Sequence, residues 1–462
     1  MDVPGGAVSR DAVIVIPGIM GSALVDTETR ETVWGLDQAG WWVKAWTSKT
    51  ALLRLAVTDA ERAGRIGRIR PAGLLRAPAF APILKGFEPY TKLVEGISPA
   101  LAHRDALSEF PYDWRLSIEH NARELAKLVE RQLARWQAHP DGSAEAKVVL
   151  VAHSMGGLVA RYFTEMLGGA AAVRTTVTLG TPYYGAVKAA YIFNTGRGAP
   201  VPLPHKRLRE LVQNMPGLHD LLPFYRCVDE GETVRYLSPE DVDVLGGDKK
   251  LAEESIQRHT QLMSGPSRDL RLMVGVEQPT MQSLSLNGGA MTPLLQVCWP
   301  DSTGRIERRE NLAGDETVFR RAAAAFDLDP QTLAQSHGAL PADEYAIAKV
   351  RDVLLNSTAG PPLGAGTIGV DVPDVVSVAE PLTVTVTGAK ASGTSCRVFD
   401  AFTRRQVAWP QLRGVDSPLT ASVALPRPGV YRIEVKGGGT SAVSQQVMAI
   451  APEDYVLEGV DQ

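Results

Sequence analysis

The chain has 462 residues, of which 44% are hydrophobic and 22% are charged, a composition typical of soluble globular proteins. This length exceeds one ordinary domain and predicts two domains, or one large domain with an appendage. The 48 basic and 52 acidic residues give a net charge of −4, so the charge balance does not suggest nucleic acid as a partner.

The N-terminus and the cysteines suggest the compartment. The first 22 residues lack a basic segment followed by a long apolar segment, unlike a signal peptide. No stretch reaches the roughly 18 apolar residues of a transmembrane helix. Three widely spaced cysteines, Cys227, Cys298 and Cys396, have neither metal-ligand spacing nor an even number. We expect a cytoplasmic protein that can contact a membrane peripherally.

Strand and helix patterns alternate through the first 180 residues. The β-branched run AVIVIPG (12–18) predicts a buried strand. Apolar residues on one face predict a helix over 121–136. The apolar run 147–154, the helical pattern 156–167 and the run 174–182 follow. This order predicts an α/β class: a doubly wound, mostly parallel sheet.

The rest of the first domain consists of an insertion and a return to the sheet. Residues 186–265 are rich in Pro, Arg and Lys and lack strand-like runs, which predicts a mostly helical cap. The run LRLMVGV (270–276) predicts another strand, and 340–356 predicts a closing helix. The first domain is therefore predicted to span residues 1–356.

The C-terminal residues form a different pattern. The small, Pro- and Gly-rich segment 357–367 predicts a linker. Four short alternating runs between turn signals follow it: PLTVTVTG, SCRVFDA, LTASVAL and GVYRIEVKG. They predict a separate all-β, immunoglobulin-like sandwich over residues 368–453.

Ser154 lies at a predicted turn from strand to helix. The sequence Ala152-His153-Ser154-Met155-Gly156 matches the nucleophile elbow G-x-S-x-G, with alanine for the first glycine. A helix begins directly after the serine, so the backbone N–H of Met155 is a candidate oxyanion donor. The alternative is a serine that only caps the helix.

A serine nucleophile needs a histidine base, which in α/β-hydrolases follows it in the chain. Of the later histidines, His337 lies between the returning strand and the closing helix. The other three, His205, His219 and His259, fall in the cap, where surface positions are expected. His337 is therefore the candidate base.

An acid should orient that histidine, and Asp315 follows a glycine upstream of it. The alternatives are Glu316, Asp327 and Asp329. His153, next to the serine in sequence, is expected to point away from it as a supporting or core residue. A second oxyanion donor is expected from the turn in IPGIMGS (16–22), where the backbone N–H of Ile19 can face the site.

Six motifs in this order resemble the lecithin:cholesterol acyltransferase family of α/β-hydrolases: PGIMGS, FPYDWR, AHSMGG, LGTPYYG, GDETV and SHG. The resemblance covers about residues 11–355. By position it implies Ser154 as nucleophile, Asp315 as acid and His337 as base. It further implies that Ile19 and Met155 supply the oxyanion hole. One departure is Glu316, where the family usually has glycine.

The resemblance implies acyl-ester chemistry on a lipid through an acyl-serine, with an alcohol or water as acceptor. We expect no cofactor and no metal. Trp34, Trp41 and Trp42 are candidates for lipid contact; the alternative is a buried aromatic cluster. Competing functions are an esterase or thioesterase for a smaller acyl substrate, and a decayed hydrolase that acts as a binding module. The sandwich is a candidate docking surface for a protein partner.

Overall fold

The computed structural model describes residues 8–35, 52–75, 90–199, 203–265, 269–326, 328–356, 367–401, 403–414, 417–437 and 442–452. Most of the predicted linker lies outside these residues, as do Trp41 and Trp42. Asp327, one of the alternative acids, lies outside them as well. Within the described ranges, no helix is both long and apolar enough to cross a membrane.

Strands of the first domain are described up to residue 334. In chain order they are β1 (Ala12–Ile16), β2 (Ser22–Asp26), β3 (Thr32–Trp34), β4 (Ile69–Leu74), β5 (Leu107–Glu109), β6 (Val148–His153), β7 (Val173–Leu179), β8 (Arg226–Asp229), β9 (Val234–Tyr236), β10 (Leu270–Val276), β11 (Ser283–Asn287), β12 (Ala290–Leu294), β13 (Val297–Pro300), β14 (Ile306–Glu310) and β15 (Gln331–Ala334).

The α-helices connect and cover these strands. In chain order they are α1 (Asp59–Arg62), α2 (Tyr90–Ile97), α3 (Ile118–Gln137), α4 (Met155–Met166), α5 (Val187–Thr195), α6 (His205–Val212), α7 (Pro216–His219), α8 (Pro239–Leu245), α9 (Lys249–Ser264), α10 (Arg320–Ala323) and α11 (Glu344–Leu354). A 3₁₀ helix, His337–Ala342, precedes α11.

A six-stranded sheet with the order β15-β10-β7-β6-β1-β5 forms the centre, and every neighbouring pair in it is parallel. All residues of β1 and β6 are buried, which explains their uninterrupted apolar sequences. Parallel strands need helical crossovers, and these carry the chain over the sheet. The predicted α/β-hydrolase class is confirmed.

The cap contains α5 to α9, as the helical prediction requires, but it also contains strands. β8 and β9 join β11 and β12 in a four-stranded sheet with the order β12-β11-β8-β9. Residues 186–265 are therefore mostly helical, as predicted, with two short strands that the sequence did not indicate. These strands have only three or four residues, too few for a periodic pattern, and β8 pairs with β11, which comes after β10 in the chain.

The C-terminal part is a two-sheet sandwich with its own apolar core. Its strands are β16 (Gly369–Asp371), β17 (Val375–Ser377), β18 (Leu382–Thr387), β19 (Ser395–Asp400), β20 (Gln406–Ala408), β21 (Leu419–Val423), β22 (Gly429–Lys436) and β23 (Val443–Ile450). The sheet orders are β16-β18-β21 and β17-β23-β22-β19-β20. Buried and more exposed residues alternate along β18, β19 and β21, as the sequence predicted.

A tyrosine corner supports the immunoglobulin-like assignment. Tyr431, near the start of β22, is fully buried, and its hydroxyl donates to the carbonyl oxygen of Arg427 at 2.8 Å. This bond from a tyrosine to the backbone four residues upstream is a hallmark of immunoglobulin-type sandwiches. The sandwich prediction is therefore confirmed in its class.

Candidate active site

Ser154 lies between β6 and α4 with a φ of 53° and a ψ of −128°. Positive φ is costly for a residue with a side chain, so the surrounding structure must hold it. The parallel strand before it and the helix after it create the sharp turn that small flanking residues predicted. The turn presents the serine hydroxyl at the C-terminal edge of the central sheet.

His337 and Asp315 complete a hydrogen-bonded chain with Ser154. His337 Nε2 lies 2.8 Å from Ser154 Oγ, and His337 Nδ1 lies 2.7 Å from Asp315 Oδ2. Asp315 has no exposed surface. Because Nδ1–H donates to the carboxylate, the lone pair of Nε2 faces the serine hydroxyl. Such an imidazole can take the hydroxyl proton.

The backbone holds Asp315 in a fixed orientation. Its Oδ1 accepts hydrogen bonds from the backbone N–H of Thr317 at 3.1 Å and of Val318 at 2.7 Å. Its carbonyl oxygen accepts the backbone N–H of His337 at 2.7 Å. These bonds leave Oδ2 for the imidazole and join the loops that carry the two residues.

His153 supports His337 from behind. Its Nε2–H donates to the carbonyl oxygen of His337 at 3.0 Å, and its Nδ1 accepts the Tyr90 hydroxyl at 2.9 Å. Tyr90 Oη in turn accepts the backbone N–H of Gly18 at 2.8 Å. Burial lowers the pKa of His153 well below its usual range, so the ring stays neutral. Sequence analysis missed Tyr90, because no local pattern distinguishes it from other helix residues.

The two residues predicted to supply oxyanion donors flank the serine. Met155 is the first residue of α4, where a backbone N–H has no partner within the helix. Ile19 lies in the turn after β1, and its side chain borders the same cavity as Ser154. A Cβ at Gly18 would lie 2.8 Å from Ser154 Cβ, so only glycine allows this turn to approach so closely.

We expect the Gly18→Ala variant to lose roughly 10- to 100-fold in kcat, since the added methyl group must push the Ile19 turn away from Ser154. Steady-state kinetics on a soluble p-nitrophenyl ester would measure this loss. The control is Gly265→Ala, where the nearest atom to an added Cβ is 3.4 Å away. Equal kcat in wild type and Gly18→Ala would show that this turn does not contribute to turnover.

The PYDWR segment anchors the turn after β1. The Tyr112 hydroxyl donates to the carbonyl oxygen of Pro17 at 3.0 Å, and Trp114 Nε1 donates to that of Ser22 at 3.1 Å. Arg115 is fully buried and pairs with Asp113 at 2.6 Å and with Glu61 at 2.9 Å. The segment is thus a structural network beside the cavity.

Glu61→Gln is expected to lower the free energy of unfolding by about 3 kcal/mol at pH 7, because it leaves the Arg115 charge buried with one partner fewer. Glutamine keeps the helix cap, since its side-chain oxygen can accept the Thr58 N–H. Burial raises the pKa of Glu61, but hydrogen bonds from Thr58 and Arg115 outweigh it and lower the pKa to about 2.

A carboxyl group whose pKa is lower in the folded state stabilises the fold at pH values above its unfolded-state pKa. This contribution is lost as the pH falls through the folded-state pKa. The difference in free energy of unfolding between wild type and Glu61→Gln should therefore be constant above pH 4.5 and shrink as pH falls toward 2. Urea unfolding at a series of pH values measures it. Glu119→Gln, which breaks a partly exposed pair with Arg123, is the control. If the difference in free energy of unfolding did not change with pH, Glu61 would not be the charged partner of Arg115.

An apolar cavity adjoins Ser154 and His337. Among the residues that line it are Leu55, Ile192, Leu208, Leu211, Met215 and Leu218. Trp34 also lines it but is 1% exposed, contacts Trp114 edge to face, and donates from Nε1 to the carbonyl oxygen of Met20. Trp34 therefore fits the buried alternative and not an exposed lid.

Glu316 adopts a φ of 83°, the backbone region that favours the glycine usual in the family. Its carboxylate lies 3.7 Å from Nζ of Lys188, a residue that lines the cavity. Burial raises the pKa of Glu316. Burial also opposes the charge on Lys188, but nearby carboxylates, Glu316 above all, outweigh it and raise the pKa of Lys188. Glu316 thus pairs with a lysine that sequence analysis did not single out.

The three cap histidines were expected at the surface, but the structure buries all of them. His205, His219 and His259 are 7%, 0% and 1% exposed. His219 Nδ1 lies 2.8 Å from the carbonyl oxygen of Met215, and His259 Nε2 lies 2.8 Å from that of Asp220. A hydrogen bond from one ring nitrogen offsets part of the cost of burying a histidine, and the residues next to it in sequence do not reveal that partner.

A surface group of His103, Asp105 and His139 has the proximity of metal ligands within the described part of the chain. In each histidine, however, Nδ1 accepts a backbone N–H, from Asp105 and Asp141 respectively. The neutral rings therefore carry their protons on Nε2 and offer no free lone pair in this arrangement.

Comparison with solved structures gives distant similarities. The Tle4–Tli4 complex is 16% identical over 75% of this chain and 98% of that chain, with a TM-score of 0.49. The mature Bacillus licheniformis lipase BlEst2 is 13% identical over 77% and 96%, with a TM-score of 0.34. Phospholipase PlaB from Legionella pneumophila is 9% identical over 95% and 90%, with a TM-score of 0.27. These values do not bear on activity.

No curated protein matches the chain. The sequence profile described as lecithin:cholesterol acyltransferase matches residues 45–287, just over half of the 462 residues. This range is narrower than the expected 11–355. It includes Ser154 and the PYDWR segment, while Asp315 and His337 lie beyond it. The match confirms the resemblance: the chain belongs to the lecithin:cholesterol acyltransferase family.

Proposed function

We propose that this protein is a serine-dependent phospholipase or O-acyltransferase that acts through an acyl-serine. Membership of the family supports hydrolysis or transfer of a lipid acyl ester. The observation that carries the finer proposal is the Ser154–His337–Asp315 chain at an apolar cavity. A cavity with this lining suits an acyl chain, since burying apolar surface drives such binding.

In the proposed first half-reaction, Ser154 Oγ attacks the ester carbonyl carbon while His337 Nε2 takes its proton. Asp315 stabilises the resulting imidazolium, and the backbone N–H groups of Ile19 and Met155 bind the oxyanion. The carbon–oxygen bond to the alcohol part then breaks, and His337 returns the proton to that oxygen. The products are acyl-Ser154 and the released alcohol, a lysophospholipid when the donor is a phospholipid.

In the second half-reaction, water or an alcohol attacks acyl-Ser154 and gives its proton to His337. Collapse of the intermediate breaks the bond to Ser154 Oγ, which regains the proton from His337. Water yields a free fatty acid and an alcohol yields a new ester. The lining of the cavity is mostly apolar, with Leu208, Leu211 and Leu218 from the cap among its residues, which favours an acyl group with an apolar chain.

The test incubates wild type and Ser154→Ala with mixed phospholipid vesicles that contain a long-chain alcohol, and identifies products by mass spectrometry. A serine-dependent lysophospholipid with a new alcohol ester would indicate an acyltransferase. Lysophospholipid with fatty acid alone would indicate a phospholipase under these conditions. No serine-dependent product would refute the lipid substrate and favour a smaller ester or a binding role.

A further inference from the structure

The sandwich touches the loop that carries His337. Ser336, the preceding residue, donates from Oγ to the carbonyl oxygen of Ser444 in β23 at 2.7 Å. Gln335 Nε2 donates to the carbonyl oxygen of Ala442 at 3.2 Å. Ser336 and Gln335 are 5% and 4% exposed, so water does not easily replace these bonds. The end of β15 is thus tied to the sandwich directly before the histidine.

A second contact reaches the loop that carries Asp315. Gln278 exchanges two backbone hydrogen bonds with Gly314, at 2.9 and 3.1 Å. Its side-chain amide donates to the carbonyl oxygen of Ile368 at 2.9 Å and accepts the N–H of Val370 at 3.0 Å. Gln278 has no exposed surface. One fully buried amide therefore joins the aspartate loop to β16.

The sandwich makes these contacts as one unit. Gln445 Nε2, in β23, donates to the carbonyl oxygen of Val370 in β16 at 2.9 Å, which links the two contact strands. The backbone approach is also close, because a Cβ at Gly369 would lie 2.3 Å from the carbonyl oxygen of Glu277. A displacement of the sandwich would thus displace the loops of Asp315 and His337 together.

We propose that the sandwich is part of the catalytic apparatus, with Ser336 and Gln278 as positioning residues that hold the loops of His337 and Asp315. This inference rests on the proposed function. Local hydrogen bonds orient the Asp315 carboxylate within its loop. Neither loop lies within a strand, and the bonds of Ser336 and Gln278 to the sandwich hold the loops themselves in place. Proton transfer needs the imidazole and the carboxylate placed within a fraction of an ångström. If the sandwich were an inert appendage, substitutions of Ser336 or Gln278 would lower the free energy of unfolding and leave turnover unchanged.

The experiment compares full-length Ser336→Ala, Ser336→Thr and Gln278→Met with wild type on a soluble p-nitrophenyl ester. We expect kcat to fall about tenfold or more in Ser336→Ala, with KM within about twofold, because the cavity is untouched. Ser336→Thr keeps a hydroxyl donor and should recover most of the loss. The control is Ser283→Ala, which removes a similar buried bond from hydroxyl to carbonyl, 2.6 Å long, from β11 to Gln296 between β12 and β13.

The rate of labelling by a serine-directed fluorophosphonate separates two kinds of failure. Wild type that shows neither Ser154-dependent labelling nor turnover would refute the proposed function itself. An active wild type together with wild-type kcat in a folded Ser336→Ala would overturn this inference and leave the sandwich a stabilising domain. If Ser336→Ala melts below the assay temperature, the kcat of folded Gln278→Met is used instead: a loss supports the inference and a wild-type kcat overturns it.

Discussion

Ser154→Ala is expected to lose at least about 10⁴-fold in kcat on any ester that the wild-type protein cleaves. The variant retains the cavity and the proposed oxyanion donors but has no atom that can form the acyl intermediate. KM should change little, since the lost hydroxyl contributes more to the reaction than to binding. The alanine methyl fits where the serine side chain lay, although the φ of 53° remains strained.

The measurement is turnover of a p-nitrophenyl ester, with fluorophosphonate labelling followed by intact mass. Wild type should gain one covalent adduct and Ser154→Ala none. Ser283→Ala serves as the control, because it removes a buried hydroxyl elsewhere in the domain. Activity within tenfold of wild type in Ser154→Ala would mean that another residue is the nucleophile.

Asp315→Asn should lower kcat on the order of 10⁴-fold without unfolding the protein. Because Oδ1 of Asp315 accepts two backbone N–H groups, the amide oxygen of asparagine must take that position. The amide NH₂ then faces His337 Nδ1, which must become an acceptor. The imidazole proton moves to Nε2 and points at Ser154 Oγ, so the ring cannot take the serine proton.

The kcat of Asp315→Asn and of wild type, measured across pH on a soluble ester, tests this tautomer argument. Asp248→Asn is the control, since its carboxylate also accepts a backbone N–H, at the start of α9. The melting temperature of both variants reports whether they fold. Wild-type turnover in Asp315→Asn would exclude Asp315 as the orienting acid and direct attention to Glu316.

Much of the fold is local in origin and therefore predictable. The buried runs of β1 and β6, the apolar face of α3 and the small residues around Ser154 each produce their structure with little help from distant residues. The cap strands and half of the sandwich strands escaped prediction. Segments of three residues such as β9, β16 and β20 depend on their partners, and the eight-residue β23 is buried at four successive positions, so it does not alternate throughout.

The candidate site divides in the same way. His337 and Asp315 were selected by their order along the chain, and the structure brings both to Ser154, though their roles stay predictions until the variants are made. Tyr90, Lys188 and Gln278 were not selected at all. A buried polar residue reveals itself through its hydrogen-bond partners, and for Tyr90 and His153 those partners are 63 positions apart.

Periodicity and motif spacing are properties of short segments, and they were enough to predict the α/β-hydrolase class, the sandwich class, the elbow at Ser154 and the family. The folded structure was needed to show that the cap histidines are buried, that Glu316 pairs with Lys188, and that the sandwich contacts the loops of His337 and Asp315. Those outcomes depend on which polar groups meet once the apolar surfaces are buried, and that pairing is a property of the whole packed chain.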